Sequence, residues 1–99
     1  MKTIGVIAGV SWESSIDYYR ILNEEVSRRL GGLHSARIAM YSVDFEDVEG
    51  PLSAGRRDQA AATIVEAGKS IQRAGADFFI ICSNTMGMFT PDVEKATGM

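Results

Sequence analysis

The run Thr3–Ala8 is almost wholly apolar and rich in β-branched residues, and it does not alternate with polar ones. Such a segment suits a strand buried on both faces, which is the situation of a strand in a parallel sheet with helices above and below. Two further runs, Ala36–Val43 and Ala76–Cys82, read as a second and a third strand. The segments between them have the length and the periodicity of crossover helices. The order β-α-β-α-β-(α) therefore predicts an α/β, three-layer domain with a parallel sheet and right-handed β-α-β crossovers.

The helical segments show the usual punctuation. Ser14 or Ser15 can cap a helix that runs to Gly31-Gly32, with Asp17 in its first turn and Ile16, Tyr19, Val26 and Leu30 recurring at helical spacing. After the second strand, Asp44–Glu49 reads as an acidic loop, and Gly50-Pro51 as a turn. Arg57–Arg73 is built of strong helix formers, and Ala60, Ile64, Ala67, Ile71 and Ala74 make its apolar stripe. A further helix begins at Asp92–Ala96 after Pro91. Such a helix ordinarily runs longer and leads into a fourth strand, so residues 1–99 read as a single domain that is the truncated N-terminal half of a two-domain protein.

Composition narrows the function. The 99 residues suffice for one core, and no stretch is apolar for the ~20 residues that a membrane-spanning helix needs. A net charge of −3, with both signs interspersed, provides no basic stripe for a phosphate backbone, so neither nucleic acid nor membrane is an expected partner. The single cysteine, Cys82, cannot close an internal disulfide, and Met1–Val10 has no cleavage signature, which together point to a cytoplasmic setting. Gly5 and Gly9 lack the spacing of a dinucleotide loop, and no P-loop lysine follows them.

Polar clusters follow the first and third strands: Gly9–Ser14 and Cys82–Thr85. In a parallel sheet both lie at the same edge, where open α/β sheets bind their ligands. Hydroxyls, an amide and helix-start N–H groups in this combination suit the carboxylate and ammonium of a small zwitterion. The same residues also serve as caps and turns, and a cysteine ending an apolar run is ordinarily a small buried hydrophobe. No arginine or lysine is unambiguously placed for a side-chain carboxylate, although Arg56 and Arg57 in the second loop could serve.

The segment Met1–Ser15, with Tyr18-Tyr19-Arg20 and Asn23 after it, resembles the start of the aspartate/glutamate racemase family, and most of all its broad-specificity amino-acid racemase branch. Leu33–Ala36, Ser42–Phe45, Gln72–Ala76 and Cys82–Met86 are similar to that branch as well. The resemblance implies one half of a pseudo-symmetric two-domain fold and a racemase that uses neither pyridoxal phosphate nor a metal, so no cofactor is expected. In that family two residues, typically thiols, flank the substrate α-carbon, because protons must leave one face and arrive at the other. By the same resemblance, Ser83 occupies the catalytic acid/base position. Asn84 and Thr85 would hydrogen-bond the amino-acid substrate, Ser11 would approach it from the first loop, and Ser42 would close the pocket from the second strand.

Cysteine is the usual residue at the Ser83 position, although the broad-specificity branch can carry threonine there. Cys82 is a possible accessory thiol one place earlier, on the opposite face of an extended strand. Gly87 stands where the family has histidine. The implied partners are a small amino-acid substrate and a second copy in a homodimer, or association through the exposed cleft face. A non-catalytic zwitterion-binding or degenerate racemase domain is the alternative.

Overall fold

In the computed structural model, which describes Met1–Met99, the first strand is the centre of the molecule. The elements follow in the order β1 (Thr3–Ala8), α1 (Trp12–Leu30), β2 (Arg37–Ser42), α2 (Glu46–Ser53), α3 (Arg57–Arg73), β3 (Phe78–Ile81), a 3-10 turn (Met86–Phe89) and α4 (Thr90–Thr97). The sheet has the order β2-β1-β3, and both pairings are parallel. Thr3 stands opposite Arg37 on one side of β1, and Ile4 opposite Phe78 on the other.

The period of two along β1 divides its side chains between two layers. Val6 and Ala8 pack with Cys82 beneath Tyr18 and Leu22 of α1. Ile7 faces the other way, into a larger core with Ile64 and Ile71 of α3 and with Phe89 and Val93. Val6, Ile7, Ile64 and Phe89 are wholly excluded from water, and each contributes roughly 1.5–3 kcal/mol of burial. The strand expected to be buried on both faces is therefore buried on both.

Helix α3 buries the expected stripe, Ala60, Ile64, Ala67 and Ile71, but Ala74 at its C-cap is exposed. Gly68 lets α4 approach α3 closely: a Cβ there would lie 2.6 Å from Val93 Cγ1. Helix α1 departs from expectation. Ser15, Tyr18 and Leu22 face the sheet, whereas Ile16, Tyr19 and Leu30 are more than half exposed. With Trp12 and Met40, Ile16 and Tyr19 line an apolar groove of about 390 Å³ between α1 and β2.

The segment expected to be an acidic loop is instead α2. Asp44 Oδ1 accepts the Glu46 N–H at 3.1 Å, capping the start, and Glu46, Asp47 and Glu49 favour the positive end of the helix dipole. Pro51 sits inside the helix and cannot donate to the Asp47 carbonyl. That carbonyl accepts the Thr63 hydroxyl of α3 at 3.4 Å instead, so a bond between helices stands in for the missing one within α2.

Candidate functional site

Strand β1 sends its chain to α1 on one face of the sheet, while β3 leads through the 3-10 turn to α4, which packs on α3 at the other face. Loops that leave adjacent parallel strands toward opposite faces open a crevice at the carboxyl edge. A cavity of about 660 Å³ lies there, lined by Val10 and Ser11 of the first loop, Ser14 and Tyr18 of α1, Phe45 and Glu49, and Ser83 to Met86.

Gly9 sets the course of the first loop. Its φ of +92° belongs to the region that glycine adopts without strain, and a Cβ would meet the Val43 carbonyl oxygen at 2.3 Å. Its N–H donates to Ser15 Oγ at 3.0 Å, and the Ser15 hydroxyl donates in turn to the Ser11 carbonyl at 3.1 Å. The Ser14 hydroxyl lies within reach of two carbonyls, that of Ser11 at 3.1 Å and that of Cys82 at 3.4 Å. It therefore ties the first loop to the end of β3. Neither Ser14 nor Ser15 is the helix cap: that position is Ser11, whose side chain makes no capping bond and lines the cavity.

Beyond β3, the Ser83 hydroxyl oxygen accepts the Met86 N–H at 3.1 Å, and the Ser83 carbonyl accepts the Gly87 N–H at 3.1 Å. Ser83 thus closes the turn that presents Asn84 and Thr85, both exposed, at the cavity. The bond leaves the Ser83 O–H free to donate. Around Gly87, where a side chain is missing relative to the resemblance, an added Cβ would meet nothing within 4 Å.

Ser11, Ser83, Asn84 and Thr85 are brought together, and Ser42, Cys82, Arg56 and Arg57 are not. Ser42 lines the apolar groove beside Ala8 and Met40, and Phe45 and Glu49 of α2 close the cavity where Ser42 was expected to. The cause is the helix itself: α2 starts four residues beyond Ser42 and carries the wall over the sheet edge. Cys82 is wholly buried between the sheet and α1, and burial pushes its thiol up to about 11, which keeps it protonated and out of acid/base work at neutral pH. Arg56 borders a separate polar cleft, and Arg57 pairs with Asp92 at 3.0 Å and lies over the Phe89 ring, so neither reaches the cavity.

Sequence reasoning passed over Tyr18, Phe45 and Glu49 as lining residues. The spacing of Phe45 and Glu49, four residues apart, would have placed them on one helix face had α2 been recognised.

A parallel α/β sheet with a polar crevice at its carboxyl edge is the architecture of one half of an Asp/Glu racemase. The chain belongs to the Asp/Glu/hydantoin racemase family, whose profile matches residues 7–99. The crystal structure of a candidate Asp/Glu racemase from Yersinia pestis is 45% identical with a TM-score of 0.97, and that of an aspartate racemase homologue from Pyrococcus horikoshii OT3 is 26% identical with a TM-score of 0.84. Each match covers 100% of this chain and 43% of the other, so the chain spans less than half the length of these relatives.

Proposed function

We propose that this chain forms one side of a cofactor-independent amino-acid racemase site. What carries the reading is the convergence of Ser11, Ser83, Asn84 and Thr85 on one crevice in a chain of the Asp/Glu/hydantoin racemase family. The amide of Asn84 and the hydroxyls of Thr85 and Ser11 supply donors for an α-carboxylate and acceptors for an α-ammonium. Ser83, with its oxygen engaged by the Met86 N–H, presents its proton to the crevice.

In this scheme a base on the opposite face, from outside this chain, takes the α-proton. The Ser83 O–H delivers a proton to the near face of the resulting carbanion, leaving an alkoxide that the Met86 N–H stabilises until solvent returns a proton to it and takes from the opposite base the proton that base removed. The reverse reaction starts from that alkoxide. An unassisted hydroxyl ionises far less readily than a thiol, so turnover is expected to be slow and faster in one direction.

The test is proton NMR of single-enantiomer amino acids in deuterated buffer, with this chain alone and paired with the C-terminal portion of the Yersinia pestis relative. Loss of the α-proton signal with the pair, abolished by Ser83→Ala and raised by Ser83→Cys, is the expected result. No exchange with either preparation would overturn the proposal in favour of a binding domain without catalysis.

A further inference from the structure

The crevice contains one charged side chain, and that charge is negative. Glu49 lines the wall formed by α2, and no lysine, arginine or histidine lines any part of the cavity. The Ser53 hydroxyl donates to Glu49 Oε1 at 2.8 Å, which holds the carboxylate from the side of its own helix. Glu49 takes part in none of the ion pairs of the molecule. Within this chain its charge is therefore uncompensated, and the two arginines of the second loop have other engagements: Arg57 with Asp92, and Arg56 in a different cleft.

Any amino acid brings one α-carboxylate, which the donors at Asn84 and Thr85 are suited to take. On the side of the crevice that this chain supplies, a second carboxylate on the side chain would meet no counter-charge and would face Glu49 in the wall. From this we infer that Glu49 is a specificity-determining residue, which admits amino acids with neutral or basic side chains and turns away those with acidic ones. The inference rests on the reading of the crevice as an amino-acid site. Repulsion between like charges a few ångströms apart in a half-exposed setting amounts to about tenfold in affinity, and a cationic side chain gains from the same field.

L-Glutamine and L-glutamate differ in charge and hardly in shape, which makes them the probe pair, with L-lysine as the cationic member. Each is titrated at low ionic strength into the ¹⁵N-labelled full chain, and the amide shifts of Asn84, Thr85 and Phe45 give Kd. L-Glutamine is expected to bind about tenfold more tightly than L-glutamate, and L-lysine at least as tightly as L-glutamine. Glu49→Gln keeps an oxygen for Ser53, and its spectrum reports retention of the fold; in it the glutamine and glutamate affinities are expected to come within about twofold. Equal affinities in the unsubstituted chain, a preference for L-glutamate, or discrimination unchanged in E49Q would overturn the role of Glu49 while leaving the amino-acid site standing. An absence of shifts with all three ligands would remove the amino-acid site itself, and the inference with it.

Discussion

Replacing Gly9 by alanine probes the point where the first loop passes over the end of β2. Alanine at φ +92° carries about 1–2 kcal/mol of backbone strain. Its Cβ would also meet the Val43 carbonyl oxygen at 2.3 Å and the Val43 nitrogen at 2.8 Å. Both are backbone atoms, and Val43 is held by its N–H bond to the Ala8 carbonyl at 2.9 Å, so relief requires the loop and strand to separate. Overpacking of this kind costs about 1–3 kcal/mol, and the two contributions together amount to about 2–5 kcal/mol. Domains of this size are stable by about 5–15 kcal/mol, so Gly9→Ala should lower Tm by on the order of 15 °C. Urea unfolding followed by circular dichroism measures the loss. Gly87→Ala is the control, since its Cβ enters open space: it should be neutral or stabilise by up to about 1 kcal/mol. A loss below about 1 kcal/mol for Gly9→Ala would refute the close approach of the loop to β2.

Three other outcomes follow from the packing. Ser15→Ala leaves the buried Gly9 N–H without its acceptor and should cost about 1–3 kcal/mol, with faster hydrogen exchange at the Gly9 amide as the local signature. Gly68→Ala forces Val93 Cγ1 to move and should cost about 1–2 kcal/mol; because the obstacle is a side chain, Val93→Ala in the same chain should make the Gly68→Ala change nearly free. Cys82 holds its proton more tightly in the folded state than in the unfolded one, so stability should fall as pH rises from 9.0 toward about 11, and unfolding curves for Cys82→Ala should lack that component.

Much of the architecture was legible because local pattern and tertiary environment agree. β1 is a central strand, and its unbroken apolar run says so at the bounds Thr3–Ala8; the alanine and isoleucine stripe of α3 likewise faces the core. Helix α2 was hidden because Gly50 and Pro51 read as breakers, and the group that compensates for Pro51, the Thr63 hydroxyl, lies on another helix. No local rule reports a bond between residues 16 positions apart. The orientation of α1 was misread for a related reason: Ile16 and Tyr19 are apolar and correctly spaced, yet the sheet receives the face that carries Ser15 and Tyr18. The placement of Ser11, Ser83, Asn84 and Thr85 along one sheet edge was legible because strand ends can be read from the sequence. Ser42 was misplaced and Glu49 overlooked because both depended on α2.

The bond from Thr63 to Asp47 has a further meaning for how such a site can change. The cradle at Ser83–Thr85 hangs from the sheet through β3, whereas the wall carrying Phe45 and Glu49 is fastened to α3. The two halves of the crevice reach a shared core along different elements. On the proposed reading of the crevice, substitutions along α2 would therefore reshape what a ligand's side chain encounters while Ser83, Asn84 and Thr85 keep their places, and selectivity could drift without disturbing the groups assigned to the chemistry.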